Sequence, residues 1–201
     1  MTALYRCRTA LSEVAGLFEA DAPPQADWSA ELWPGRTGLI VRSANAGRVV
    51  ETMKWGIAGN IADGTRGRPP ATTLWFRELF PSRPDWLDPE RRCLIIMDSF
   101  ACPEGPAGAR TRTWFGLEHI PLFAWAGIWR ENESARGYCG LVAAADDRIR
   151  DRGPMPALLR PEEAGEWLLG DLITAGRLAR RSYPAEDMYR EALDEPWSAP
   201  R

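Results

Sequence analysis

The sequence has few of the residues that build metal sites and disulfide frameworks. Among its 201 residues there is one histidine, so a site with several histidine ligands is excluded. The four cysteines are widely spaced and form no Cys-x-x-Cys pair, a pattern typical of neither a disulfide framework nor a zinc site. They are Cys7, Cys93, Cys102 and Cys139. We therefore expect reduced thiols, no metal and no cofactor.

The sequence also lacks long apolar runs and an excess of basic residues. Its uninterrupted apolar stretches are a few residues long, whereas roughly 18 residues are needed to cross a bilayer. Residues Met1–Arg8 lack the apolar region of a secretory signal. The formal charge of −3 excludes a strongly basic protein that phosphates would attract as a whole. We expect a cytoplasmic monomer with no membrane partner.

What is present is enough for one hydrophobic core. Hydrophobic residues make up 45% of the chain, and a chain of this length forms one domain by default. We place that domain at residues 1–182. Residues 183–201 are polar and contain proline, and we predict that they form a loosely held C-terminal tail.

Helical patterns lie near the two ends of the chain. Apolar residues recur at helical spacing between Leu11 and Phe18 and predict a helix over about 10–20. Near the other end, Pro161 is followed by two glutamates, which favours the start of a second helix that Gly170 ends.

Strand patterns fill the middle of the chain. The predicted strands are residues 38–42, 48–55, 94–98, 111–116, 122–129 and 138–145. The first two are joined by a turn-rich link and predict a hairpin, and we predict a second hairpin from 111–116 and 122–129. This order indicates an α+β fold, with a mostly antiparallel sheet that curls or closes like a barrel and with peripheral helices.

Several segments, in the right order, resemble the SOS response-associated peptidase (SRAP) family. The central segment Trp86–Pro103 is similar to that family's central strand, and Pro121–Trp129 to its strand ending in Ala-Gly-(Leu/Ile)-Trp. Met155-Pro156, followed by Pro161-Glu162-Glu163, resembles its Met-Pro strand and the helix after it. The resemblance covers about 170 residues. It implies the family's fold and its activity, the covalent capture of abasic sites in single-stranded DNA.

The resemblance also implies four catalytic groups, and the first two are replaced here. The family's cysteine after the initiator methionine, which condenses with the sugar aldehyde, corresponds to Thr2. A free α-amine at this position is a partly neutral nucleophile, but a hydroxyl is a weaker partner than a thiol in closing a ring. The family's asparagine corresponds to Leu74, and leucine has no hydrogen-bonding side chain.

The other two implied groups, which carry protons in the family, are also replaced. Cys102 stands where the family has a glutamate that shuttles protons. Glu104 is two residues further on and shares the face of Cys102 only if the strand continues past Pro103. Asp151 or Arg150 stands where the family has a histidine. With four of four groups replaced, we expect a degenerate form of the family site, made of Thr2, Cys102 and Asp151.

Our leading hypothesis is a divergent SRAP protein without the covalent chemistry of the family, which still binds single-stranded DNA. Guanidinium groups bind phosphates in bidentate geometry, and indole rings stack on unpaired bases. We predict that Arg91, Arg92, Arg150, Arg152 and Trp33 contact the DNA. For any one tryptophan, a place in the core is the commoner alternative.

Two other hypotheses stay open. In the first, the protein is an enzyme that crosslinks abasic sites, with Thr2 as an N-terminal nucleophile assisted by Cys102 or Asp151. In the second, it is an interaction protein that does not bind nucleic acid, which its acidic pI of about 5.4 favours.

Overall fold

A computed structural model describes residues 4–45, 47–58, 69–132 and 135–198, and the elements below lie in these ranges. The strands are β1 (Tyr5–Arg6), β2 (Ala20–Asp21), β3 (Glu31–Leu32), β4 (Thr37–Ala44), β5 (Gly47–Trp55), β6 (Thr73–Trp75), β7 (Arg92–Met97), β8 (Ser99–Glu104), β9 (Thr111–Leu117), β10 (Phe123–Asn132), β11 (Ala135–Ala143), β12 (Met155–Pro156), β13 (Leu158–Leu159) and β14 (Met188–Pro196). The α-helices are α1 (Leu11–Leu17), α2 (Phe76–Leu79), α3 (Ala164–Leu169) and α4 (Leu172–Arg180).

The centre of the fold is a closed barrel. Its strands follow the order β11-β10-β7-β4-β5, each antiparallel to the next, and β5 then pairs back to β11 in parallel. The short strands β2, β6, β12 and β13 pair with members of this ring. The predicted α+β fold with a curled, mostly antiparallel sheet is therefore confirmed, as is the hairpin of β4 and β5.

Aromatic side chains fill the barrel. The rings of Tyr5, Trp55 and Trp125 contact one another edge to face, with centroids 5.1 to 6.3 Å apart. The hydroxyl groups of Tyr5 and Tyr138 form a buried hydrogen bond. Gly140 brings the backbone of β11 against the Trp125 indole, and a Cβ at this position would overlap the ring. Most of the tryptophan and tyrosine content is thus explained by packing.

A second sheet, with the order β14-β9-β8-β1-β3, lies beside the barrel. The chain passes from barrel strand β7 into β8 at Asp98. The carboxylate of Asp98 accepts hydrogen bonds from the Arg8 backbone N–H at 2.8 Å and from the Arg8 guanidinium at 3.1 and 3.2 Å. The Ser99 hydroxyl donates to the same carboxylate at 2.7 Å. These bonds hold the start of the chain against β8.

The helices are shorter than their sequence patterns predict. Helix α1 ends at Leu17, and Glu19 then takes a φ of 49°, which a continuing helix does not allow. A 3₁₀ turn at Pro161–Glu163 precedes α3, and Gly170 ends α3 as predicted. Asp171 caps α4 by accepting from the Thr174 N–H at 2.8 Å. In the described ranges, no helix has the length and apolar character to cross a membrane.

The predicted hairpin of 111–116 and 122–129 is wrong. Strand β9 pairs with β8 and β14, whereas β10 pairs with β7, β11 and β13. The link between them reverses at His119, which has a φ of 61°, and carries the chain from one sheet to the other. Strand β9 forms long ladders with β8 and β14, and β10 forms long ladders with β7 and β11. Adjacency in sequence therefore does not decide the pairing of β9 and β10.

The predicted loose tail is also wrong for residues 188–196. These residues form β14, which pairs with β9 from Met188↔Leu117 to Pro196↔Thr111. Tyr189 covers Gly116, and Trp197 packs edge to face on Trp33 at 5.3 Å. The polar segment is held by strand pairing and ring contacts that its low hydrophobicity does not reveal.

Candidate functional site at the end of strand β8

Strand β8 continues past Pro103 and places Cys102 and Glu104 on one face. Cys102, Pro103 and Glu104 pair in register with Thr113, Arg112 and Thr111 of β9. The Ala101 N–H donates at 2.9 Å to the carbonyl of Leu4, the residue before β1, and so points to the β1 side of β8. By the two-residue alternation of a strand, the nitrogen of Pro103 faces the same side, so the proline removes no hydrogen bond to β9.

Cys102 is buried at the inner end of this face. Its side chain is 1% exposed, and its Sγ lies 3.9 Å from the Sδ of Met155 in β12. Both residues belong to the hydrophobic core. A thiol in contact with a thioether is a weak hydrogen-bonding group and a poor substitute for a carboxylate in proton transfer.

Glu104 is held by two arginines and a hydroxyl from three other segments. Its carboxylate accepts from Arg152 at 2.9 Å, from Arg190 at 2.8 and 2.9 Å, and from the Thr113 hydroxyl. The hydrogen bond from Arg152, with those from Thr113 and Arg190, lowers the pKa of Glu104 to about 2. Glu104 is therefore ionised throughout the neutral range and is a weak base there.

We expect Glu104→Gln to lower the free energy of unfolding at neutral pH and to lose this effect in acid. The pKa of Glu104 lies below its ordinary value of 4.5. The ion pairs of Glu104 therefore contribute fully to the free energy of unfolding above about pH 4.5, and this contribution is lost as the pH falls toward 2. With one third of the side chain exposed, the contribution is about 1–2 kcal/mol. Urea unfolding followed by tryptophan fluorescence at pH 2 to 8 measures it. The exposed Glu118→Gln is the control, and equal losses at pH 3 and pH 7 would contradict the ion-pair assignment.

The residues that match the family's histidine lie at the surface. Asp151 is 74% exposed, and its carboxylate lies 3.5 Å from the Arg152 guanidinium. Arg150 is equally exposed and pairs with Asp147 at 2.5 Å. Instead Arg152, predicted to contact DNA, turns inward to Glu104. Of the expected proton-carrying positions, Asp151 thus faces solvent and Cys102 faces the core.

Leu74 takes part in packing, as its side chain suggests. It lies in β6 opposite Leu141 of β11, and Met155 lies on the other side of β11 opposite Ala143. Leu74 is partly buried against the core. Thr2 lies outside the described residues.

Arg92 is a buried structural residue, so the prediction that it contacts DNA is wrong. It is 2% exposed, and its guanidinium donates to the carbonyls of Leu87 at 2.6 Å, Trp167 at 3.0 Å and Gly170 at 2.6 Å. Burial lowers its pKa, but an arginine stays charged at neutral pH. All of this bonding faces inward, where phosphates have no access.

Trp33 is also buried rather than available for stacking on bases. It is 8% exposed and packs with Leu4, Ala101 and Trp114, under Trp197. The prediction that Trp33 contacts DNA is corrected accordingly.

Arg91 is the partly exposed member of the Arg91–Arg92 pair. Its guanidinium lies 5.0 Å from the ring centre of Trp129 and 3.9 Å from Glu131. It borders an open cavity of about 400 Å³, with Arg42, Trp129 and Glu131 among the lining residues.

Two parts of the β8 site were not predicted from the sequence. Thr113 and Arg190 reach Glu104 from β9 and β14, and neither position has a motif that marks it. Across the described parts of the chain, no group of three or more histidine, cysteine or acidic side chains is placed to hold a metal.

The match of the chain to a family model defines the class of protein. Residues 1–193 match the model of the family described as SOS response associated peptidase (SRAP), and the chain belongs to this family. A comparison with curated proteins gave no match.

Solved structures share the fold. A protein from Bordetella bronchiseptica is similar with a TM-score of 0.75 and 21% identity, covering 95% of this chain and 99% of that one. A phage-related protein from the same organism has a TM-score of 0.74 and 14% identity, covering 95% and 93%. A protein from Bacteroides thetaiotaomicron has a TM-score of 0.74 and 15% identity, covering 94% and 91%.

Proposed function

We propose that this protein acts in the DNA damage response as a cytoplasmic, monomeric SRAP protein that binds single-stranded DNA without forming a covalent bond to it. The observation that carries the proposal is the state of the carboxylate at the end of β8. Glu104 shares a face with Cys102, but its ion pairs with Arg152 and Arg190 hold its pKa at about 2.

A proton shuttle needs a group that gains and loses a proton near the working pH. Glu104 is charged at every pH above about 3, and Cys102 is enclosed beside Met155. Asp151 faces solvent, and Leu74 carries no polar group. The states of these four side chains support the part of the proposal that leaves out acid–base catalysis.

DNA binding is supported by the family and by two arginines at the surface, the partly exposed Arg91 and the exposed Arg150. Arg91 and Arg150 pair with Glu131 and Asp147 at the surface, and exposed pairs of this kind contribute roughly 0–1 kcal/mol. Both guanidiniums can therefore exchange a carboxylate for a phosphate at little cost. With a net charge of −3, binding is expected to be weak and to fall steeply as salt rises.

The test separates binding from covalent capture with one DNA strand. A labelled single strand carrying an abasic site is mixed with the protein and run on native and denaturing gels. We expect a retarded band on the native gel at low salt and no adduct on the denaturing gel. Arg91→Gln with Arg150→Gln should weaken the native complex about tenfold, whereas Arg177→Gln, which changes another exposed arginine, should not.

Two outcomes would overturn the proposal. A denaturing-gel adduct that borohydride traps and Thr2→Ala abolishes would establish the N-terminal nucleophile instead, provided that mass spectrometry finds Met1 removed. Absence of a native complex even at low salt would favour an interaction protein that does not bind nucleic acid.

A further inference from the structure

A groove on the outer side of the barrel has the composition of a binding site. The Trp75 groove, about 220 Å³ in volume, lies where β6, α2 and α4 meet the end of β11. Its floor is mainly apolar and is formed by Trp75, Val142, Ala143 and Ala144. Its volume is below the roughly 300–1,000 Å³ of sites for drug-sized ligands, so it accommodates a group about the size of one side chain.

Two arginines flank this apolar floor. The Arg77 guanidinium lies 4.1 Å from the ring centre of Trp75, and that of Arg180 lies 5.4 Å from the ring centre of Phe76. Arg180 Nε donates to the Gly176 carbonyl at 2.8 Å, which fixes the direction of its planar end. Both arginines are exposed at the mouth of the groove.

Neither arginine is neutralised by the protein. In the described part of the chain, no carboxylate lies within 4.0 Å of either guanidinium, and no acid lines the groove. The nearby Glu78 accepts from the Trp75 backbone N–H at 2.6 Å and caps α2. Two unpaired cations beside an apolar hole favour an anionic ligand with an apolar part.

The surroundings favour one negative charge over a polyanion. Around the groove, Arg177 pairs with Glu166 at 2.6 Å and Arg181 pairs with Glu163 at 2.8 Å. No line of unpaired cations leads away from the groove in the described residues, whereas a nucleic acid strand needs such a path. The apolar surface of the groove is extended by the exposed ring of Phe80, whose centre lies 6.1 Å from the ring centre of Phe76.

We propose that the Trp75 groove binds the C-terminal residue of a partner protein that ends in an apolar side chain. The side chain occupies the floor between Trp75 and Ala144, and the terminal carboxylate accepts from Arg77 and Arg180. Phe80 contacts the residue that precedes the end. This mode uses the two guanidinium forks for two carboxylate oxygens, and it does not depend on DNA binding.

The experiment uses fluorescence anisotropy with a dye-labelled peptide, Gly-Ser-Gly-Ser-Leu-Phe, carrying a free C-terminal carboxylate. We expect saturable binding, and about tenfold weaker binding for the same peptide with a C-terminal amide. Arg77→Gln and Arg180→Gln should each weaken binding by about fivefold to tenfold. Ala144→Leu, at an exposed position, should fill the groove and abolish binding. Arg177→Gln on the same helix is the matched control and should bind like the wild type.

Three results would overturn this assignment. Equal binding of the acid and the amide would remove the carboxylate from the site. Wild-type binding by both Arg77→Gln and Arg180→Gln would place the peptide elsewhere. In the third result, a dT oligonucleotide displaces the peptide from the wild type but not from Arg180→Gln, and this would assign the groove to nucleic acid. Circular dichroism of each variant establishes that a loss of binding is not a loss of fold.

Discussion

Gly140→Ala should lower the free energy of unfolding by roughly 3–5 kcal/mol, one of the two largest effects expected for a single substitution in this protein. The added Cβ would overlap the Trp125 indole. That ring has no room to retreat, because its Nε1 donates to the Leu141 carbonyl at 2.5 Å and it packs in edge-to-face contacts with Tyr5 and Trp55. The barrel must therefore open or the ring must leave its position.

Urea unfolding followed by tryptophan fluorescence measures this loss, and Gly16→Ala is the control. Gly16 lies in α1, and a Cβ there meets nothing within 4 Å. The control should be stabilising by about 0.5–1 kcal/mol, since alanine is the better helix former. Similar stabilities for the two variants would mean that Trp125 does not pack on β11 as described.

Arg92→Met should be destabilising by roughly 3–5 kcal/mol. The substitution keeps an apolar stem but leaves the carbonyls of Leu87, Trp167 and Gly170 without their donor. Through these three hydrogen bonds, Arg92 joins the segment before β7 to the end of α3. Loss of the bonds therefore separates the helix from the barrel. Arg92→Lys should recover part of the stability, because an ammonium reaches fewer acceptors than the planar guanidinium.

The neighbouring residue provides the control for Arg92. Arg91→Met removes a partly exposed arginine at the neighbouring position, and its cost should stay below about 1 kcal/mol. Thermal unfolding of the three variants gives the order directly. If Arg91→Met and Arg92→Met were equally stable, the buried assignment of Arg92 would be wrong.

This pair of arginines also illustrates what a sequence can predict. Arg91 and Arg92 are identical in type and adjacent, and only the start of β7 decides that one points outward and the other inward. By contrast, the β4–β5 hairpin was predictable, because its turn-forming link and its two flanking strands are local in sequence. The α+β fold followed from the order of such local patterns.

The candidate site was predictable only in part, for the same reason. The spacing of Cys102 and Glu104 predicts a shared face once the strand continues, because side chains alternate along a strand. The partners of Glu104 come from Arg152 and Arg190, and no local pattern connects these positions to β8. Likewise, β14 is held by Gly116, Trp33 and other distant residues, and its own sequence reads as a polar tail.

The aromatic centre of the barrel has a consequence for how the chain folds as it is synthesised. Tyr138, the hydrogen-bond partner of Tyr5, follows it 133 positions later in the chain. At the usual 5–20 residues per second, roughly 7–27 s pass before the ribosome has added that partner. Throughout this interval the barrel is open, and β4, β7 and β10 expose their apolar faces as each strand is made. Newly made chains are thus expected to need chaperones most while β11 is still missing.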